Sequence, residues 1–250
     1  MNKTSSLIIS ILLTIMIASN FYFINLYINN KPIERETVFV SRVIDGDTLE
    51  LKDKRVIRLA NINSPEKDFP GYGKAKEFLQ SYENLTVDIE ILGTDQYNRL
   101  LVRLFYNEDY INLESVKLGF SSKFLVEESE KETFANAEKF AISNFFGVWK
   151  KSEFFGCLSS KMNEVEEFVR LTNHCNSINV RDWILKDESR KIYKFNDMYL
   201  GEIIINSWEG RDNSTDVFWN FKNDVWNNDR DTLYLFDENG NIVLQKDYGY

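Results

Sequence analysis

Apolar and polar positions alternate with a period of two over much of the chain from residue 38 onwards, a pattern typical of half-buried β-strands. In one such stretch Val87, Ile89 and Ile91 are separated by two acidic residues. The strands predicted in this first region are 38–43, 49–51, 55–60, 87–91 and 100–106. Helical spacing of apolar residues occurs at 74–82, 112–118 and 130–144. Five short strands with helices packed on them predict a five-stranded OB-type barrel over residues 38–150.

The pattern changes after residue 151, where strands and turns follow one another with almost no helical period. The strands predicted here are 168–171, 183–185, 192–195, 202–206, 232–236 and 242–246. The sequence D-E-N-G-N at 237–241 predicts a hairpin turn before the last of them. This spacing predicts a C-terminal immunoglobulin-like β-sandwich over residues 157–250, so the fold class is mainly β with α.

The amino-terminal pattern is different again, because an apolar run extends from residue 7 to residue 28 behind Lys3. As a helix, this run would extend about 33 Å, enough to cross a bilayer. Residues 1–30 therefore predict a membrane anchor, with a cleaved signal peptide as the alternative. Charge on the two sides is nearly balanced, with Lys3 before the run and Lys31 and Arg35 after it. Either form predicts an extracytoplasmic protein, membrane-anchored or secreted.

Composition narrows the function classes. The net charge of −9 argues against a protein that coats nucleic acid through a basic surface, although a bound cation would supply positive charge locally. His174 is the only histidine, which argues against sites that need several imidazoles, and we interpret it as a polar loop residue. Cys157 and Cys175 are too few for a structural zinc site, so they form either a disulfide or two buried thiols. In an exported chain we expect the disulfide.

The candidate chemistry lies in D-G-D-T at 45–48, Arg58, and N-S-P-E at 63–66. Asp-Gly between apolar residues is by itself an ordinary hairpin turn. The ordered set contains more than a turn requires. It has oxygen ligands for a hard divalent ion, a carboxylate to handle an attacking water, and a planar cation for phosphate oxygens. Together these residues indicate metal-dependent phosphodiester hydrolysis.

The first region resembles the staphylococcal-nuclease-like (thermonuclease) family over residues 38–149. The resemblance is carried by V-I-D-G-D-T at 43–48, I-R-L-A-N-I-N-S-P-E at 57–66, T-D-Q-Y-N-R at 94–99 and F-F-G-V-W at 145–149. It implies a Ca²⁺ site in which Asp47 is a ligand, Asn63 supplies a further ligand and Ser64 gives a backbone carbonyl.

The same resemblance implies roles for three catalytic residues. Glu66 would activate or orient the attacking water, while Arg58 and Arg99 would hold the phosphate as charge builds in the transition state. The implied function is that of a calcium-dependent nuclease that acts on DNA and/or RNA and leaves 3′-phosphate ends. The alternative is a catalytically weak or dead barrel in a surface protein for nucleic-acid binding or adhesion.

Three departures from the family pattern affect this interpretation. Asn63 stands where members most often have Asp, and an amide oxygen brings no charge, so metal affinity should fall. Gln96 replaces a basic residue before Tyr97, which remains available for substrate binding. Leu125 stands where a nucleotide-stacking tyrosine is found, and losing it would remove about 1–3 kcal/mol per stacked base.

The second region resembles a lamin-tail domain. The residues that carry this resemblance are E-F-V-R-L-T-N at 167–173, D-W-I-L-K-D at 182–187, V-W-N-N at 225–228 and D-T-L-Y-L at 231–235. They are mainly structural, and no catalytic set accompanies them. The expected role of this domain is attachment to the cell surface or contact with nucleic acid.

Overall fold

The computed structural model describes residues 11–22, 34–67, 69–189 and 191–250. The chain divides into a small unit that ends at Arg35 and a larger compact unit, Glu36–Tyr250. In the first unit, residues 11–22 form helix α1, whose apolar side chains are exposed. The rest of the predicted anchor, 7–10 and 23–28, lies outside the described residues. Within the part of the chain that is described, none of the helices combines the length and apolar character that a bilayer crossing requires.

The second unit begins with a closed five-stranded barrel. The strands of this half are β1 (Arg35–Val43), β2 (Thr48–Leu51), β3 (Val56–Leu59), β4 (Ile62–Asn63), β5 (Thr86–Thr94), β6 (Leu100–Tyr106), β7 (Asp109–Tyr110) and β8 (Ser122–Lys123). Strand order in the barrel is β3-β2-β1-β5-β6, and a parallel pairing of β3 with β6 closes it. The predicted OB-type barrel is therefore confirmed. Val87 and Ile89 face inward as predicted, whereas Ile91, at a register shift in β5, is 38% exposed.

Three helices pack on this barrel, namely α2 (Tyr72–Gln80), α3 (Ile111–Lys117) and α4 (Lys131–Ser143), with a 3-10 turn at Glu128–Glu130 before α4. Helix α2 begins after Gly71, whose φ of 94° is a left-handed conformation that glycine adopts without strain. The helices bury Leu79, Val116 and Phe134 in the core that the strands form. This packing fixes the ends of the strands, where the candidate residues lie.

The C-terminal half forms a β-sandwich. Its strands are β9 (Leu158–Asn163), β10 (Phe168–Asn173), β11 (Ile178–Asn179), β12 (Ile184–Lys186), β13 (Ile192–Lys194), β14 (Tyr199–Leu200), β15 (Glu202–Asn206), β16 (Asp216–Phe218), β17 (Asp231–Phe236) and β18 (Ile242–Tyr248). One sheet has the order β16-β15-β10-β9 and the other β13-β12-β17-β18, with a short β11-β14 pair beside them. Both sheets bury side chains in one shared core, among them Val169, Ile203, Leu185 and Leu233.

Cys157 and Cys175 form a disulfide across a sequence separation of 18 residues, with their Cα atoms 5.3 Å apart. It joins the residue before β9 to the loop that follows β10. The loop at this end of the sandwich is thereby tied to the start of the domain.

The barrel and the sandwich pack directly against each other. A separate apolar cluster contains Ala141 and Ile142 of α4, Trp149 of the connecting segment, and Tyr234 and Ile242 of the sandwich. The rings of Trp149 and Tyr234 stack with their centroids 5.3 Å apart. The contacts between the two halves therefore include a buried apolar surface and bring residues of the sandwich close to the barrel.

Candidate functional site

The turn between β1 and β2 places two carboxylates at the mouth of the barrel. The backbone N–H of Asp47 donates to Asp45 Oδ1 at 3.0 Å, which closes a local turn around Gly46. A Cβ at residue 46 would lie 2.7 Å from the Cβ atoms of both Ala75 and Ser64, so only glycine fits there. The stretch is thus a hairpin turn, and its glycine also allows close approach of the segment that contains Ser64.

Asp47 is almost fully buried and links this turn to two other candidate residues. Its Oδ2 accepts a hydrogen bond from the backbone N–H of Ser64 at 2.9 Å and one from Arg58 at 3.4 Å. Its Oδ1 accepts a hydrogen bond from the hydroxyl of Thr48 at 3.0 Å. The carboxylate is therefore held in one orientation by three donors.

Arg58 lies on β3 and is also buried. Besides its bond to Asp47, it donates to the backbone carbonyl of Leu59 at 3.0 Å. The guanidinium lies 5.7 Å from the ring centroid of Phe124. A planar group with several fixed donors can be shared between protein acceptors and a phosphate oxygen, which a lysine ammonium does less well.

A cavity of about 140 Å³ opens beside Asp47. It is lined by Ile44, Asp45, Asp47, Ser64, Pro65, Glu66, Lys67 and Tyr72. Three of these residues carry carboxylates, and Lys67 is the one cation among them. The structure therefore brings together Asp47, Ser64 and Glu66 of the predicted set.

Asp45 is a member of this site to which the sequence motifs assigned no role. Burial, followed by the negative charge of Asp47, raises the pKa of the Asp45 carboxyl. Two carboxylates that repel each other beside a polar cavity form an electron-rich oxygen site. The signal that could have revealed Asp45 is the D-G-D spacing itself, since a tight turn brings residues i and i+2 together.

The donor set can be compared with what calcium requires. Calcium takes carboxylate, carbonyl and water oxygens, and Asp45, Asp47 and Ser64 offer such oxygens at one cavity. Burial is the larger cause of the raised pKa of Asp45 and the charge of Asp47 the second, and a divalent ion would offset the repulsion between these two carboxylates. Across the described ranges, no group of three or more His, Cys, Asp or Glu side chains is close enough to hold a metal unaided. The residues fit a calcium ion that keeps water and backbone ligands.

Asn63 occupies a different place from the rest of the predicted ligand set. It lies on β4, which pairs with β8 so that Asn63 faces Ser122. Its side chain does not line the cavity, and its Nδ2 donates to the backbone carbonyl of Ser189 in the sandwich at 3.3 Å. Within the described residues, no donor reaches its Oδ1. The amide nitrogen of Asn63 is therefore hydrogen-bonded to the second domain.

Arg99 does not line the cavity and instead contacts Thr48, the first residue of β2. Its Nε donates to Asp95 at 2.8 Å, and another guanidinium nitrogen donates to the Thr48 hydroxyl at 3.4 Å. The ring of Tyr97 is 5.3 Å from the guanidinium carbon, and 65% of Tyr97 is exposed. These side chains line an open groove of about 600 Å³, formed by Lys54, Arg55, Val56, Tyr97, Asn98 and Arg99. The groove is a basic and aromatic surface beside the acidic cavity.

Leu125 is 60% exposed and has a φ of 46°. An exposed aliphatic side chain at this position offers no ring for stacking. His174 donates or accepts one hydrogen bond with the hydroxyl of Ser159, at 2.7 Å, in an exposed part of the sandwich.

Comparison with known proteins gives a consistent result. Residues 56–151 match the family described as Staphylococcal nuclease homologue. An uncharacterized endonuclease of Haemophilus influenzae is 32% identical over 122 residues, which cover 46% of this chain and 67% of that protein. Endonuclease YhcR of Bacillus subtilis is 27% identical over 138 residues, 46% of this chain and 11% of that protein. An uncharacterized endonuclease of Escherichia coli O157:H7 is 33% identical over 94 residues, 36% of this chain and 60% of that protein.

The match therefore spans well under two thirds of the length of the Bacillus protein and slightly under two thirds of the Escherichia protein. The family match ends at residue 151, before the sandwich begins. The resemblance of residues 157–250 to a lamin-tail domain stays a prediction.

Proposed function

The chain belongs to the Staphylococcal nuclease homologue family, and from this premise we propose that it is a calcium-dependent nuclease that hydrolyses phosphodiester bonds of DNA and/or RNA outside the cytoplasm. The observation that supports this most directly is the grouping of Asp45, Asp47 and Glu66 around one cavity. Arg58 bonds to Asp47 and Arg99 bonds to Thr48 at the edge of the same turn.

Calcium would be held by the carboxylates of Asp45 and Asp47 and by the carbonyl of Ser64. The amide oxygen of Asn63 is proposed as a further ligand, for which the side chain would have to turn towards the cavity. When bound, it would supply positive charge that stabilises the negative charge of the transition state.

Each of the other residues has a role of its own in this scheme. Glu66 lines the cavity and orients the attacking water, taking its proton as the water attacks phosphorus. Arg58 and Arg99 donate to phosphate oxygens, whose charge increases in the transition state. The leaving group is the 5′-oxygen, so the product retains a 3′-phosphate. Tyr97, exposed beside Arg99, provides a ring against which the substrate packs.

The C-terminal sandwich is proposed to attach the enzyme to a surface or to contact nucleic acid.

The apolar segment 7–28 is proposed to hold the protein in the membrane with its amino terminus inside and residues 36–250 outside. A calcium site with a neutral ligand binds the ion more weakly and needs a higher calcium concentration, which is available outside cells. Protease added to intact cells should remove residues 36–250 and leave an amino-terminal peptide in the membrane. A mature protein that begins near Asn20 in the culture medium would instead indicate a cleaved signal.

Two observations favour a second candidate, a barrel that binds nucleic acid or serves in adhesion without cutting. The Asn63 side chain bonds to Ser189 and does not line the cavity, and Leu125 offers no stacking ring. A plasmid-nicking assay separates the two functions. The purified full chain should nick and linearise supercoiled plasmid at millimolar calcium and should stop when a chelator is added. Glu66→Gln is the matched inactive control, and DNA binding without cleavage by the unmodified chain would overturn the nuclease proposal.

A further inference from the structure

The sandwich contacts the strand pair that carries part of the proposed calcium site. Strand β4 contains Asn63 and leads directly into Ser64, and it pairs with β8 (Ser122–Lys123). The carbonyl oxygen of Asn63 accepts a hydrogen bond from the Ser122 hydroxyl at 3.2 Å. Its side-chain nitrogen donates to the carbonyl of Ser189, 126 residues away in the sandwich. The residue before Ser64 is thus bonded to the barrel on one side and to the second domain on the other.

The other strand of the pair is bonded to the sandwich through a buried ammonium. Lys123 is fully buried, and its Nζ donates to Glu138 of α4 at 2.8 Å and to the hydroxyl of Thr232 on β17. The ring of Tyr250 lies 4.1 Å from the same Nζ. A buried charge is tolerated only when its partners are in place, so Lys123 requires the sandwich as well as α4.

Glu188 strengthens the same contact from the sandwich side. It is almost fully buried, and one of its oxygens, Oε2, accepts hydrogen bonds from the Thr232 hydroxyl at 3.3 Å and the Tyr250 hydroxyl at 2.7 Å. The backbone N–H of Leu125, just beyond β8, also points to the other oxygen at 3.5 Å. The Thr232 hydroxyl therefore connects Lys123 of the barrel to Glu188 of the sandwich.

The electrostatic interactions of Lys186 agree with the close packing of the sandwich on the barrel. Burial lowers the pKa of Lys186 on β12, and the carboxylates of Asp187, Glu138 and Glu66 oppose that shift. A cation of the sandwich thus lies within the electrostatic field of Glu66, which lines the proposed reaction cavity.

We propose that the sandwich is a positioning part of the nuclease site. Through Ser189 and Thr232 it fixes the β4–β8 pair, and with it Ser64, so that docking of the sandwich and calcium binding stabilise each other. Such coupling is reciprocal, because whatever the docked state adds to calcium affinity, calcium adds to docking. Thr232 is a positioning residue in this scheme, and the amide nitrogen of Asn63 holds the strand that leads into Ser64. The inference rests on the proposed calcium site.

Thr232→Val in the full chain tests the proposal. Valine keeps the shape of the side chain and removes the hydroxyl that joins Lys123 to Glu188. We expect calcium affinity, measured by titration calorimetry, to fall by about fivefold or more, the lower end of typical coupling between sites. Hydrogen exchange in peptides that cover 61–66 should become faster. Thr172→Val, the same change on β10 away from this contact, should match the unmodified chain in both measurements.

In the unmodified chain, calcium should also slow hydrogen exchange in peptides that contain Ser189. A folded Thr232→Val with unchanged calcium affinity and unchanged exchange at 61–66 would overturn the inference and leave the nuclease proposal standing. Absence of calcium binding by the unmodified chain would overturn both. If Thr232→Val does not fold, Tyr250→Phe decides by the same two measurements. It removes only the hydroxyl that bonds to Glu188, with Tyr199→Phe, exposed on β14, as its control.

Discussion

The backbone N–H of Ser64 donates a 2.9 Å hydrogen bond to the Asp47 carboxylate, 17 residues earlier in the chain. This bond joins the β1–β2 turn to the segment 63–66, so the two stretches that contain the proposed ligands form one rigid piece. The guanidinium of Arg58 donates to the same oxygen at 3.4 Å. The proposed calcium site and the arginine proposed to bind phosphate are therefore oriented by a single carboxylate.

Asp45→Asn should separate the charge of Asp45 from its structural role. The asparagine Oδ1 can still accept the Asp47 N–H, but the negative charge beside Asp47 is lost. We expect calcium affinity to fall about tenfold, equivalent to roughly 1.4 kcal/mol, while stability in chelator rises because the repulsion is relieved. Titration calorimetry and urea unfolding measure the two effects. Asp53→Asn, in an exposed turn with the same local bond to Arg55, should leave calcium affinity unchanged and lower stability slightly, because it loses a surface ion pair with Arg55. Equal affinity in Asp45→Asn would rule Asp45 out as a ligand.

Glu66→Gln should abolish most of the activity without loss of structure. The amide cannot take a proton from the attacking water, and removal of a general base costs about 10²–10⁴-fold in rate. Cleavage of supercoiled plasmid, followed over time at saturating calcium, gives the rate. Calcium affinity should stay near that of the unmodified chain, and Glu77→Gln on the exposed side of α2 should be fully active. A rate within a factor of about three of the unmodified chain would exclude Glu66 as the base.

Asn63→Asp should exchange one interaction for another. The carboxylate has no hydrogen to donate to the Ser189 carbonyl, and a buried donor-acceptor pair becomes a repulsive contact, at a cost of about 1–3 kcal/mol in chelator. A charged ligand binds calcium more tightly. Added calcium should therefore reduce the difference in unfolding free energy between Asn63→Asp and the unmodified chain. Asn144→Asp, which loses a bond to the Phe140 carbonyl on the surface, should show a small difference that calcium does not change. A deficit in Asn63→Asp that is equal with and without calcium would contradict the assignment of Asn63 as a ligand.

The stability of the sandwich should depend on the protonation of Asp231. Burial, followed by the charges of Glu188 and Asp187, raises the pKa of Asp231 to about 7. A raised carboxyl pKa favours folding below the ordinary value near 4, and this contribution is lost as pH rises towards 7. The integrated loss is on the order of 4 kcal/mol. Urea unfolding between pH 4 and 8 should show this loss of stability. The unfolding free energy of Asp231→Asn should depend less on pH over this range. Parallel curves for the two proteins would mean that Asp231 does not titrate there.

Reduction of the disulfide should destabilise the sandwich. Cys157 and Cys175 close a loop of 18 residues, for which the chain-entropy account gives about 3 kcal/mol. Dithiothreitol should lower the urea midpoint, and the double variant Cys157→Ser with Cys175→Ser should unfold at the lower midpoint regardless of reductant. Two free thiols in the denatured, unreduced chain would show that the bridge does not form.

Local patterns in the sequence were sufficient to predict the barrel. Alternation at Val87 and Ile89 identifies an inward-facing strand because strand periodicity depends only on neighbouring residues. The grouping of Asp47 with Arg58 and Glu66 follows from their ordered spacing on adjacent strands and turns. Such features are encoded within about twenty residues.

The contacts between the two domains were not predictable in the same way. The bond from Asn63 to Ser189 joins residues 126 positions apart, and neither residue has a pattern that specifies its partner. Asp45 is a different case, because the D-G-D spacing indicates that it lies near Asp47, while its burial beside that carboxylate is set by the packed structure. Interactions of this kind depend on the packed structure.

The buried pair of Lys123 and Glu138 has a consequence for how freely the two halves could be recombined. Glu138 also accepts the hydroxyl hydrogen of Tyr234, and Lys123 donates to Thr232, so each charge is satisfied by both halves together. Grafting this barrel onto a foreign C-terminal module, or deleting the sandwich, would leave an ammonium and a carboxylate without part of their hydrogen bonding. The barrel is therefore not an interchangeable building block, and any chimera would need to import Thr232 and Tyr234 with it or replace both Lys123 and Glu138 by apolar residues.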